Sequence, residues 1–102
     1  MKKWLITCWL CSLSVPALAA PYPLGTMTCA DMGKFASEAM RWRESGMKRD
    51  EAFDKLDARP VNDPVERKNL EMVLAMVFGR YGNNWTVESA GNVIRSDCET
   101  GR

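Results

Sequence analysis

The sequence predicts an all-α fold, a small up-down bundle of four helices (or of three long helices and one short one) with one disulfide. Three observations predict this class. Apolar residues recur every three or four positions in four successive segments, helix-capping residues stand at the starts of three of these segments, and no strand-like alternation of apolar and polar residues occurs. We therefore expect helix-on-helix packing throughout.

The first 19 residues have the three parts of a cleavable secretory signal. Lys2 and Lys3 form the basic end, an uncharged apolar stretch follows, and an Ala-x-Ala cleavage motif ends at Ala19. We place the cut there because a cut after Ala20 would leave Pro21 just past the scissile bond. The alternative is a membrane anchor, but the uncharged stretch is short for a span of about 20 residues. We expect export to the periplasm or beyond, with no membrane span after cleavage.

Two of the four cysteines lie in this predicted signal. Cys8 and Cys11 have the Cys-x-x-Cys spacing of redox and zinc sites, but cleavage removes them. Cys29 and Cys98 remain, and two cysteines in a small exported domain most often pair. The alternative is a pair of buried free thiols. A bond across a loop of this length stabilises a fold by about 4 kcal/mol.

Removing 19 of the 102 residues leaves 83, enough for one domain. We expect an extended leader over residues 20–27 and a single helical domain over residues 28–102. Loss of Lys2 and Lys3 leaves 12 basic residues against 13 acidic ones, a net charge of −1. A nucleic-acid-binding domain usually carries a basic surplus, so we expect no nucleic-acid partner.

Helix one is predicted over residues 28–45. Thr28 can cap it, and Asp31 three positions later can complete a capping box. Its apolar face consists of Cys29, Met32, Phe35, Ala36, Ala39 and Trp42. Gly46 provides the stop.

Helix two is shorter and is predicted over residues 47–58, with Ala52, Phe53 and Leu56 directed inward. It ends before Pro60, because the residue that precedes a proline avoids the helical region. We therefore expect a helix of about three turns at this position.

Helix three has the clearest start, in which Asp63 can cap, Pro64 fits the first helical position and Glu66 can reach back to the cap. Its predicted inner face is Leu70, Val73, Leu74, Val77, Phe78 and Tyr81, and further apolar residues on the other side are Met72, Ala75 and Met76. Because little polar surface remains, we expect helix three to be the buried centre of the bundle.

Helix four follows the capping residue Thr86, and its apolar stripe contains Val87, Ala90, Gly91, Ile94 and Cys98. Cys98 thus lies at the end of helix four, whereas Cys29 lies at the start of helix one. In an up-down bundle these two ends meet on one side. The helix pattern and the expected disulfide therefore agree.

We predict no catalytic residue, no metal site and no cofactor. The chain has no histidine, the commonest general base and metal ligand, and no glycine-rich phosphate loop. The acidic residues of helices two and three match no known metal-binding loop and are typical of a solvated helix face.

One segment of helix one has the composition of a protein contact. Met40, Arg41, Trp42 and Arg43 combine a thioether, an aromatic ring and two basic groups, and we take them as candidate partner-binding residues. The alternative, which we favour, is that Trp42 caps the core while the arginines extend to solvent.

Residues 27–32, Met-Thr-Cys-Ala-Asp-Met, resemble the opening Thr-Cys-x-Asp/Glu-apolar motif of the small periplasmic acid-stress chaperones of the HdeA and HdeB type. The resemblance implies an exported, non-catalytic helical domain with one disulfide. It covers six residues, and the second cysteine departs from that family by lying at the far end of the domain. The overall layout also resembles small periplasmic inhibitors and immunity proteins.

We accordingly expect an exported, non-enzymatic protein that binds another periplasmic protein as an inhibitor or immunity-type partner. The alternative is an acid-stress chaperone. Protonation of its 13 carboxylates would leave a positive, self-repelling chain that opens and exposes methionines.

Overall fold

The computed structural model describes residues 24–100, in which four α-helices follow one another. Their bounds are Cys29–Glu44 for α1, Arg49–Asp57 for α2, Pro64–Val77 for α3 and Val87–Thr100 for α4. A short 3-10 helix, Tyr81–Asn84, lies between α3 and α4. No strand occurs within residues 24–100. The predicted all-α class, with three long helices and one short one, is confirmed.

The helices alternate in direction. The start of α1 meets the end of α4 through Cys29 and Cys98, so these two helices are antiparallel. Near the end of α1, Arg43 contacts Val77 at the end of α3, so α1 and α3 run in the same direction. The short α2 returns between them and contacts both helices. This is the predicted up-down arrangement.

The predicted disulfide has the required geometry. The Cα atoms of Cys29 and Cys98 are 5.4 Å apart, and their sulfur atoms are at bonding distance. The two residues are 69 positions apart in the sequence, and Cys98 is buried among the core side chains. The bond therefore joins the two outer ends of the helical region.

Two helices begin with reciprocal capping bonds. Thr28 Oγ1 accepts a hydrogen bond of 3.0 Å from the Asp31 backbone N–H, and the Asp31 carboxylate accepts one of 3.1 Å from the Thr28 N–H. At the start of α4, Thr86 and Ser89 exchange the same pair of bonds, at 3.0 and 2.8 Å. The predicted caps at Thr28 and Thr86 are confirmed.

The start of α3 differs in one respect from the prediction. Asp63 caps the helix by accepting a bond of 2.9 Å from the Val65 N–H, and Pro64 occupies the first turn. Glu66 does not reach back to the cap as predicted, because its carboxylate accepts a bond of 2.6 Å from Thr26 Oγ1. Glu66 therefore ties α3 to the segment before α1.

Residues 24–27 form a turn instead of the end of an extended leader. The Met27 N–H donates to the Leu24 carbonyl at 3.0 Å, and Gly25 has a positive φ of 62°. Met27 is buried and Leu24 packs against the core, so the apolar side chains hold this turn in place. Residues 20–23 and the predicted signal over residues 1–19, with Cys8 and Cys11, lie outside the described residues.

The central helix is α1, and the prediction that helix three is the buried centre is wrong. α1 packs against each of the other three helices. α3 buries Leu70, Val73, Leu74 and Val77, but Met72 on its opposite side is 38% exposed. Within the described residues, this side of α3 is therefore open to solvent at Met72.

The prediction that Tyr81 lies on the inner face of helix three is also wrong. α3 ends at Val77, so the helical periodicity that would direct Tyr81 inward no longer applies. Tyr81 lies in the 3-10 helix, is 62% exposed, and stacks on Trp85 with ring centroids 6.3 Å apart.

Candidate functional site

The four candidate residues of α1 do not share one exposed surface. Met40 and Trp42 are only 4% and 9% exposed. Trp42 meets the Phe35 ring edge-on, with centroids 5.9 Å apart, as a member of the core. Of the four, Arg41 alone is exposed and Arg43 is half-buried. The burial supports the interpretation of Trp42 as a core residue.

Arg43 has a structural role at the end of α3. Its Nη1 donates to the carbonyls of Val77 at 2.7 Å and Gly79 at 3.2 Å, and its Nη2 donates to Asn83 Oδ1. The last carbonyls of a helix lack partners within that helix. Arg43 satisfies these groups and fixes the loop that follows α3.

An open apolar groove of about 680 Å³ runs between α2 and α3. Its apolar lining consists of Phe53 from α2 and of Val65, Met72 and Ala75 from α3; its polar lining consists of Arg49, Lys68, Asn69 and Glu71. With 3.6 residues per turn, Met72 points away from the side of α3 on which Leu70 is buried. We refer to this surface as the α2–α3 groove.

Positive charge borders the α2–α3 groove. The Arg49 guanidinium lies 5.1 Å from the centroid of the Phe53 ring, and Lys68 is exposed on α3. Glu71 is the single acidic residue of the lining. Neither cation forms an ion pair within the described part of the chain. The groove therefore combines an apolar floor with a positive border.

Sequence reasoning missed this groove, although its signal was present. Periodicity places Met72 and Ala75 on the second side of helix three, but the prediction attributes their apolar character to burial inside the bundle. Phe53 is predicted to face inward and is only half-buried. The sequence correctly places these apolar residues on one surface. The error lies in the prediction that other helices bury that surface.

A smaller depression, of about 280 Å³, lies where the starts of α1 and α3 meet. Four of its polar residues form hydrogen bonds with one another. Arg59 donates to Glu38 at 2.6 Å, and Thr26 donates to Glu66 at 2.6 Å. The first bond joins the segment after α2 to α1, and the second joins the segment before α1 to α3, so the depression has a structural role.

Within residues 24–100, no group of three or more His, Cys, Asp or Glu side chains is placed to hold a metal ion. In the same region, no helix has both the length and the apolar character needed to cross a membrane. The α2–α3 groove is the candidate functional site because its apolar lining is open.

Comparison of the chain with family models, with curated proteins and with solved structures finds no match in any of the three. Its function must therefore be argued from its own residues.

Proposed function

We propose that this is an exported, non-enzymatic protein that binds another periplasmic protein through the α2–α3 groove, as an inhibitor or immunity-type partner. The observation that carries this proposal is the open groove lined by Phe53, Val65, Met72 and Ala75. Its volume of about 680 Å³ falls within the range of ligand-binding clefts. An apolar cleft with a few polar groups at its border is a common form of binding site.

The chemistry of the lining favours binding over catalysis. The groove contains two cations and one carboxylate, but no serine, cysteine or histidine that could act as an activated nucleophile. Binding requires only shape, apolar contact and complementary charge, and the groove offers all three.

The proposed location rests on the signal pattern of residues 1–19 and on the pairing of Cys29 with Cys98. A disulfide persists in the oxidising periplasm and is rare in the cytosol. Both features support an exported protein.

A capture experiment with matched variants tests the proposal. The protein, Met72→Glu and Val93→Glu are immobilised and exposed to an exported-protein fraction of the source organism. Met72 and Val93 are similarly exposed, at 38% and 41%, but only Met72 lines the groove. We expect a partner that the original protein and Val93→Glu retain and that Met72→Glu loses. A partner retained equally by all three would contradict a role for the groove.

The second candidate function, an acid-stress chaperone, is favoured by the position of several carboxylates. Asp31, Glu51 and Asp63 accept hydrogen bonds from backbone N–H groups at the starts of α1, α2 and α3. Each of these carboxylates is a charged acceptor at a helix start, so three of the four α-helices of residues 24–100 begin at an acidic side chain.

Circular dichroism and a client-aggregation assay test this second candidate. At about pH 3, where carboxyl groups in general are largely protonated, the helical signal should fall and aggregation of a client protein should be suppressed. An unchanged spectrum together with unchanged client aggregation would eliminate it.

A further inference from the structure

We infer that the occupant of the α2–α3 groove is an amphipathic helix of another protein, with acidic residues flanking its apolar anchors. This inference rests on the proposed function and specifies the chemistry of the partner. Three features carry it: the apolar character of both sides of α3, the open flank of the α2–α3 pair, and the charge at the border of the groove.

The second half of α3 has the composition of a helix that is covered on both sides. Residues 72–77, Met-Val-Leu-Ala-Met-Val, contain no polar side chain. A helix that is apolar all round is normally buried. Within residues 24–100, however, the buried apolar side chains of α3 lie on one side, and Met72 on the other side is 38% exposed. A partner supplies the missing cover.

The shape of the open side suits a helix. α2 and α3 are neighbouring antiparallel helices, and α1 packs against both of them on one side. The groove lies between the same two helices on the side of α3 that α1 leaves open. Such a groove accepts a further helix through anchors spaced at i, i+3, i+4 and i+7. The incoming helix would thus form a second layer on α3.

The charge at the border selects an acidic partner over a second copy of this chain. Arg49 and Lys68 line the groove with a single carboxylate, Glu71, so the lining is net positive. A twofold dimer through this surface would bring two net positive patches together. Carboxylates on a different helix would instead pair with Arg49 and Lys68.

A displayed library of helical peptides tests the inference, because selection from it does not require that the partner be identified first. The library is selected on the protein produced from its full chain, and the enriched peptides are titrated by fluorescence anisotropy. The variant Arg49→Glu/Lys68→Glu removes the positive border. Lys34→Glu/Arg41→Glu makes the same change of charge at exposed residues of α1, outside the groove. Circular dichroism verifies that both variants are folded.

We expect the enriched peptides to carry apolar residues at helical spacing with Asp or Glu beside them. Arg49→Glu/Lys68→Glu should weaken their binding by at least about tenfold, whereas Lys34→Glu/Arg41→Glu should change it by less than about threefold. Peptides that are enriched without acidic residues, or that bind both charge variants equally, would overturn the inference.

Met72→Glu separates this inference from the proposed function. Peptides that depend on Met72 but not on the positive border would leave the groove as a protein-binding site and refute the acidic partner. Failure to enrich any peptide that depends on Met72 would refute both the acidic partner and the proposed function of the groove. Sedimentation that shows a dimer, dissociated by Met72→Glu, would make a second copy the occupant and would also overturn the inference.

Discussion

Gly33 and Gly91 allow α1 and α4 to approach until the backbone of one helix touches the other. A Cβ atom added at Gly33 would lie 2.8 Å from the Gly91 carbonyl oxygen and 2.9 Å from Arg95 Cβ. Beside this contact, Ser37 Oγ donates to the Val87 carbonyl at 2.8 Å. The helices are therefore held by small residues that leave no room for a larger side chain.

Gly33→Ala should lower the free energy of unfolding by about 1–3 kcal/mol, because the added methyl group overlaps rigid backbone. The sign of this change in the free energy of unfolding is diagnostic, since alanine in place of an unhindered helical glycine stabilises by about 1 kcal/mol. Urea denaturation followed by circular dichroism measures the change. A variant more stable than the original protein would show that α1 and α4 are not in close contact.

Arg43 and Arg41 provide a matched pair on the same helix. Arg43→Ala leaves the carbonyls of Val77 and Gly79 without their donor and should destabilise by about 1–3 kcal/mol. Arg41→Ala, at an exposed position, should stay within about 0.5 kcal/mol of the original protein. Thermal unfolding of both variants measures the difference. Equal effects would refute the structural role of Arg43.

These residues also show which contacts sequence can predict. The cap at Thr28 is local, because its partner Asp31 is three positions away, and the sequence pattern identifies it. The role of Arg43 depends on carbonyls 34 and 36 positions away, whose proximity arises only from the packing of α1 on α3. A pattern of residue types contains no information about such a contact.

At the scale of helices, periodicity predicts the elements well and their layering poorly. The predicted helix over residues 28–45 is observed as Cys29–Glu44, and that over residues 47–58 as Arg49–Asp57. The prediction of which helix is the buried centre was wrong. An apolar helix face indicates that something covers it, but it does not identify what that is. For α3 the sequence predicted two covered sides, and residues 24–100 cover one.

The two sides of α3 should therefore respond differently to truncation. Leu74→Ala removes a fully buried side chain and should lower the free energy of unfolding by about 2–5 kcal/mol. Met72→Ala, in the open groove, should cost less than about 1 kcal/mol. Chemical denaturation of the two variants provides the comparison. A similar loss in both would mean that Met72 belongs to the core of the free protein.

α4 is the helix that depends most on the disulfide, because it packs chiefly on α1. Cys29→Ala/Cys98→Ala opens a loop that spans 69 positions and should lower the free energy of unfolding by about 4 kcal/mol. Hydrogen exchange should show amides of α4 losing protection before those of α2 and α3. Uniform loss of protection over all four helices would contradict this order.

At the scale of the whole molecule, the fold consists of a closed side and an open side. α1 is covered by three helices and its start is tied to the end of α4 by the disulfide, whereas α3 keeps an apolar face toward solvent. The net charge of −1 expected after processing gives no hint of the positive border around the groove. That local charge appears only when α2 and α3 bring Arg49 and Lys68 to the same surface.

A photo-reactive amino acid placed at Met72 in the protein, expressed in its source organism, tests the proposed docking site most directly. The control position is Val93, whose exposure of 41% is close to the 38% of Met72. Illumination should join position 72 to one other protein and leave position 93 without that adduct. The same adducts at both positions, or none at position 72, would contradict a partner bound in the α2–α3 groove.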